Sequence, residues 1–273
     1  MADIEPVAIV ELGVDDALAG LALSTEARWN QNEADWRFFL TNGIVFGVRD
    51  GPHLVATAAL LPYSAGNAWI SMVLVTERWR RRGIATRLVD ACLDAARQRG
   101  LTTWLDATPA GASVYGPLGF TPTLQLRRLR LEHPSHEAST ALATSDIDTF
   151  SARDRRAMGF ERNALLAEFG ARTGSRILSQ GNATALVRDG RTARHIGPLF
   201  ADSATDALAL VGAIGRTERS PLLIDAIASQ EPFIAGLTGA GWNIERPFQR
   251  MRFGRATTQS EELPFAVAGP EFG

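Results

Sequence analysis

The chain has 273 residues, 45% of them hydrophobic, which is enough apolar material for two cores of ordinary size. A formal net charge of −2 removes the basic face that phosphate-backbone binding requires, so no nucleic acid is expected as a partner. One cysteine excludes a disulfide framework and any multi-cysteine metal site, no apolar run is long enough to span a bilayer, and the start Met1-Ala-Asp-Ile-Glu-Pro shows no leader pattern; a cytoplasmic protein without membrane contacts is expected.

In chain order, Val7 to Glu11 reads as a short strand, Asp15 or Asp16 caps a helix reaching Leu23, and Glu33 to Leu40 is a second amphipathic helix. Ile44 to Val48 and Leu54 to Leu61 are strands joined by the turn Asp50-Gly-Pro, and Ser64-Ala-Gly-Asn67 turns the chain into a further strand from Trp69, giving an antiparallel meander. Thr86 to Arg99 is a helix stopped by Gly100, Thr103 to Ala107 the next strand, and Ser113 to Pro117 a short helix. Leu124 to Leu131 is expected to close a first domain, 1–131, and the polar, proline-containing stretch 132–147 reads as a linker.

The second half repeats this order more weakly. Strands over Thr184 to Val187 and Arg191 to Ile196 flank the hairpin turn Asp189-Gly190, and a helix over Ala204 to Ile214, a strand over Leu222 to Ala226 and a helix over Glu231 to Leu237 follow. Gly239-Ala-Gly-Trp242 and a last strand, Ile244 to Phe253, complete a domain over 148–256, with 257–273 as a tail; the parallel suggests an internal duplication.

The segment from Trp69 through Arg80-Arg-Arg-Gly-Ile-Ala-Thr86 is the most informative. The first N–H groups of a helix have no intrahelical partner and lie at the positive end of its dipole, so they suit an anion. Gly83 allows close approach to the main chain, Ala85 and Thr86 keep the next turn open, and the arginines at 80 to 82 add positive charge, so a di- or triphosphorylated cofactor fits; an exposed connecting turn is the alternative. The second half has Ile196-Gly-Pro-Leu-Phe-Ala-Asp202 at this point, where Pro198 lacks a donor and Asp202 repels phosphate, so only one cofactor site is expected.

The spacing Arg80-x-x-Gly83-x-Ala85 after Met72-Val-Leu-Val75, followed by Leu101 to Ala107 and Tyr115-Gly-Pro-Leu-Gly-Phe120, resembles the GCN5-related N-acetyltransferase (GNAT) superfamily over roughly Ala56 to Phe120. One position departs: Ala85 stands where glycine is commoner. Trp29-Asn-Gln31 with Asp35-Trp36, the stretch Asp154 to Leu166, and Gly190-Arg-x-Ala-Arg-x-Ile-Gly-Pro198 are similar to a bacterial subgroup with an appended GNAT-like C-terminal domain. The resemblance implies an α/β (α+β) fold, a mixed, mostly antiparallel sheet flanked by helices, in tandem with a degenerate second copy. It also implies acetyl-CoA as acyl donor and direct transfer to an amine.

Roles follow from that likeness. The main chain of Val73, Leu74 and Val75 would pair with the pantetheine arm and polarise the thioester oxygen, and Arg81, Arg82, Gly83, Ile84, Ala85 and Thr86 would receive the pyrophosphate. Tyr115 would donate a proton to the leaving thiolate; otherwise it is a buried aromatic whose hydroxyl caps a carbonyl. The base is left among Asp106, at the position where ribosomal-protein alanine acetyltransferases carry an acidic base, Asp35, and water; Asp106 otherwise reads as a solvated strand-end carboxylate and Asp35 as a first-turn helix charge. Trp29, Asn30 and Asp35 form the expected acceptor side, with Trp36 and Phe38 read as pocket or core. Cys92 reads as core, and the histidines, His53, His133, His136 and His195, do not have zinc-ligand spacing, so no metal is expected. A small molecule or a protein can supply the amine, an exposed sheet edge in either half leaves room for a homodimer, and a coenzyme A-binding sensor without turnover is the alternative to an enzyme.

Overall fold

The computed structural model describes residues 8–135, 142–256 and 258–273; Val7, His136 and the centre of the expected linker lie outside them. The first half runs β1 (Ile9–Glu11), α1 (Ala17–Glu26), α2 (Glu33–Asn42), β2 (Ile44–Asp50), β3 (His53–Pro62), β4 (Asn67–Val75), α3 (Ile84–Gln98), β5 (Thr102–Ala107), α4 (Pro109–Tyr115) and β6 (Thr121–Leu131). The second runs β7 (Ala143–Thr144), α5 (Ile147–Met158), α6 (Asn163–Ala171), β8 (Arg176–Gln180), β9 (Ala183–Arg188), β10 (Arg194–Phe200), α7 (Ala204–Thr217), β11 (Leu222–Ile227), α8 (Glu231–Gly239) and β12 (Asn243–Phe253). The linker reading over 132–147 therefore gives way to β7 and to the cap of α5, where Asp146 accepts from the Thr149 amide at 2.8 Å.

Local chemistry explains these elements. In α3 the buried residues Ile84, Leu88, Val89, Cys92, Leu93 and Ala96 recur every three to four positions, so one face packs on the sheet and the other carries charge. β3 is buried from Leu54 to Leu61, the pattern of a central strand covered on both sides. Trp36 and Phe38 are core: Trp36 is fully buried against Gly20, and its indole N–H reaches Ser24 Oγ at 3.0 Å.

The strands form one sheet of twelve in the order β1-β2-β3-β4-β5-β12-β6-β11-β10-β9-β8-β7. β6 therefore does not close the first half. It pairs with β11, Arg128 opposite Asp225, while β12 crosses into the first half and pairs with β5, Arg250 opposite Asp106. The two final strands are exchanged and bonded to each other along the centre of the sheet. Both exchanges are fastened by a buried bidentate ion pair: Arg128 meets Asp225 with two 2.8 Å hydrogen bonds, and Arg250 meets Asp106 with two more at 2.8 Å.

The stretch expected as a tail is an interior element. Phe265 to Ala268 are buried between β10 and β11: Ala266 bridges both Leu199 and Ala226, and the Val267 amide donates to Asp225 O at 3.0 Å. Beyond this point Trp69 Nε1 donates to Pro270 O at 2.9 Å, Arg188 holds Ala268 O at 2.9 Å, and Phe272 stacks on Phe39 at 4.9 Å. Arg162, itself paired with Asp154, donates to the main-chain oxygens of Phe272 and Gly273.

Candidate acyl-transfer site

The basic turn has the backbone its sequence requires. Gly83, the residue before α3, sits at φ +72°, where a side chain would be strained, and a Cβ built on it would meet nothing within 4 Å. The amides of Ile84, Ala85 and Thr86 open the helix, and these residues line the same cleft as Gly83, Arg80 and Arg81. Arg82 is absent from that wall; its guanidinium lies 4.7 Å over Trp79 and donates to Arg78 O at 3.0 Å.

Next to the turn the sheet opens. β4 and β5 pair in parallel only over Asn67, Ala68 and Trp69, and then diverge as β5 takes β12 on its other side. The register of β4 against β3 shifts between Ser71 and Leu74, Met72 takes φ +51°, and the Thr57 hydroxyl bonds Met72 O at 2.8 Å. The cleft between the diverging strands has a volume of about 640 Å³. Val73, Leu74 and Val75 line one wall, Leu105 to Thr108 the other, and Tyr115 stands at the end of α4 beside them. Burial, with a smaller contribution from Cys92, pushes the Tyr115 phenol up to about 12, so the group remains a proton donor at neutral pH.

Two family models match this chain, both described as acetyltransferase (GNAT): one over residues 14–120, the other, a GNAT domain, over 151–266. The chain is a tandem GNAT protein. A putative acetyltransferase from Pyrococcus horikoshii shares its fold at TM-score 0.81, with 19% identity over 99% of this chain and 97% of that one. A tandem GNAT protein from the clavulanic acid biosynthesis pathway, solved without acetyl-CoA, aligns at TM-score 0.64 and 18% identity over 92% of this chain and 100% of its own. An uncharacterized N-acetyltransferase of Bacillus subtilis, YitH, is 22% identical over 230 residues, 80% of this chain and 81% of that protein. The family uses acetyl-CoA as acyl donor and acts on amines, and the open glycine turn beside a splayed sheet fits that donor.

The residues expected on the acceptor side of this GNAT protein divide. Trp29 lines the cleft. Asn30 instead joins the halves: its Oδ1 accepts from the Thr192 and Ala193 amides at 2.9 and 3.0 Å, and its Nδ2 donates to Ala193 O. Arg191 adds two hydrogen bonds to Trp29 O, so the Trp29-Asn-Gln31 and Gly190-Arg-x-Ala motifs are two sides of one contact. Asp35 is fully buried away from the cleft, accepting from the Asn32 amide at 2.9 Å and pairing with Arg172 at 2.6 Å. Asp106 lines the cleft but is not a solvated carboxylate: its side chain is buried, which raises its carboxyl, and Arg250 opposes that rise while occupying both oxygens.

Sequence reasoning missed four residues on the same wall. Gln31 is 3% exposed and its Oε1 has no hydrogen-bond partner; Ser71 Oγ is in the same state. Arg246, from the exchanged strand β12, has a buried Nε without a partner, and Glu271 comes from the buried C-terminal segment. Their signals were weak individually, since each is a single polar residue in a stretch read as strand, loop or tail. Among the described residues no group of histidine, cysteine or carboxylate side chains could hold a metal, and no helix is long and apolar enough to cross a membrane.

Proposed function

We propose that this GNAT protein is an N-acetyltransferase that moves an acetyl group from acetyl-CoA directly to an amine, with donor and acceptor held together in the cleft. The observation that carries the reading is the meeting, in one cleft, of the Gly83 turn, the diverging β4 edge and Tyr115. In this reading the amides of Ile84, Ala85 and Thr86, with Arg81, receive the pyrophosphate, and the main chain of Val73 to Val75 pairs with the pantetheine arm and polarises the thioester oxygen. Acetyl-CoA, when bound, supplies an acyl group on a thiolate leaving group.

The amine must first lose a proton, which at neutral pH costs about 4 to 5 kcal/mol for a lysine-like ammonium. Glu271 takes that proton. The reason is pairing: among the described residues the cleft wall has two carboxylates, of which Asp106 has both oxygens engaged by Arg250 at 2.8 Å, whereas Glu271 has a single ion-pair neighbour, Arg188, at 3.6 Å. The nitrogen would then bond to the carbonyl carbon as the carbon–sulfur bond breaks, with Tyr115 donating its proton to the departing sulfur and the phenolate recovering a proton, through solvent, from the new amide nitrogen, which sheds its surplus one. The C-terminal half contributes Arg246, Phe248 and Glu271 to the acceptor end, so it shapes the groove rather than holding a second donor.

Replacing Tyr115 with Phe should lower turnover by about 10²-fold or more while leaving acetyl-CoA affinity unchanged in calorimetry. Glu271→Gln should be slow at neutral pH and recover as the pH rises and the amine deprotonates unaided. A wild-type protein that binds acetyl-CoA and releases no thiol with any amine returns the sensor reading; absence of binding refutes both.

A further inference from the structure

The wall of the cleft holds polar atoms that the protein itself leaves without partners. Gln31 Oε1, Ser71 Oγ and Arg246 Nε are all buried, all belong to residues of the cleft wall, and none has a hydrogen-bond partner. Buried polar atoms of a native protein are nearly always satisfied, so three exceptions on the wall of one open cleft mark where a ligand completes the bonding.

Arg246 is the informative member. It faces Arg128 across the β6–β12 ladder, but Arg128 is neutralised by Asp225 through both of its hydrogen bonds. The adjacent Glu245 lies 3.8 Å from Arg130, on a different pair. Arg246 thus has no carboxylate at ion-pair distance among the described residues; its guanidinium rests 5.4 Å over Phe248, which also lines the cleft. A guanidinium that is partly buried, stacked on an aromatic ring and left without a counter-ion is a site for an anion, and its planar fork matches a carboxylate. Burial, then the charge of Arg128, lower the affinity of Arg246 for its proton; Asp225, Glu245 and Glu271 oppose this, none of them at ion-pair distance.

Other residues of the same wall have the opposite character. Gln31 offers an acceptor oxygen and Glu271 a carboxylate, the pair suited to an ammonium. We infer that the acceptor is a small amine that also carries a carboxylate, an amino acid or a close analogue, with its carboxylate on Arg246 and its amine between Gln31 and Glu271. This rests on the acetyl-transfer reading above. Phe248 and Trp29 on the same wall leave an apolar flank for a side chain.

The test is thiol release from acetyl-CoA with matched sets: α-amino acids, the corresponding primary amides, and the amines left by decarboxylation. At least one amino acid should be acetylated, and its amide should fall in kcat/KM by about 10- to 100-fold, the range expected for a lost charge-assisted pair. Arg246→Met should impose a similar loss on the amino acid, chiefly through KM, and narrow the gap between acid and amide; Arg246→Lys should restore part of both. Calorimetric affinity for acetyl-CoA should be the same in all three proteins. Equal turnover of acid and amide, turnover of uncharged amines alone, turnover of no panel member, or an Arg246→Met variant that keeps the discrimination overturns the inference. Failure of acetyl-CoA to bind the wild type would strike the underlying reading instead.

Discussion

The Asp106–Arg250 pair separates a catalytic from an architectural carboxylate. Arg250 is 8% and Asp106 0% exposed, the pair makes two 2.8 Å hydrogen bonds, and the guanidinium lies 4.6 Å over Trp69. Removing one partner leaves the other charge buried and unpaired, so Arg250→Met should destabilise the protein by about 3 to 5 kcal/mol. Replacing both, Asp106→Leu with Arg250→Met, removes the charge along with its counter-ion and should return most of that loss, because the desolvation penalty and the attraction disappear together. Urea denaturation of the two single variants and the double variant gives the stability cycle, and thiol release gives the activity of the folded double variant. If Asp106 only fastens the exchanged strand, the double variant keeps turnover within about threefold; if it is the base, turnover drops by about 10²- to 10⁴-fold whatever the stability. The second outcome would refute the assignment of the base to Glu271.

Other consequences can be measured separately. Because burial pushes the Tyr115 phenol up to about 12 from its ordinary 10, its donating form persists at high pH, and the rate should rise with acceptor deprotonation and then stay level through about pH 10.5; a fall near pH 10 that disappears in Tyr115→Phe would contradict this. Gly83→Ala should cost about 1 to 2 kcal/mol in a denaturant titration for holding alanine at φ +72°, and weaken acetyl-CoA binding in calorimetry, because the new methyl projects into open space at the phosphate turn. Gly20→Ala should lose about 1 to 3 kcal/mol, since the added carbon would lie 2.4 Å from the fully buried Trp36 ring; an unchanged melting temperature would show that the ring yields.

Much of the cleft proposed for the acyl donor was legible because it is local. A strand, a glycine turn and a helix start are adjacent in sequence, and the amphipathic pattern of α3 fixes which face meets the sheet. The exchange of β6 and β12 was not legible, for a chemical reason. Each strand carries an arginine that meets a buried aspartate, Arg128 on Asp225 and Arg250 on Asp106, so the duplication makes the two strands interchangeable by pattern. The acceptor side failed similarly. Phe265 to Gly273 contains Gly269, Pro270 and Gly273 and reads as a tail; only contacts with Arg162, Arg188 and Trp69, far away in sequence, make it interior. The α5 and α6 segment was noted for its motif rather than its structure, because its runs of charge obscure the apolar positions Phe150, Ala157, Leu165 and Leu166.

The traded strands also bear on ancestry. A duplicated gene usually yields two units that can part again, by fission or by recombination with other modules. Here each unit has given its last ribbon to its sibling, and a cut between them would strand a raw edge and an orphaned aspartate on both sides. Halves built this way are separable only at the cost of both central strand pairings, so a substitution that loosens either one is felt by the two together.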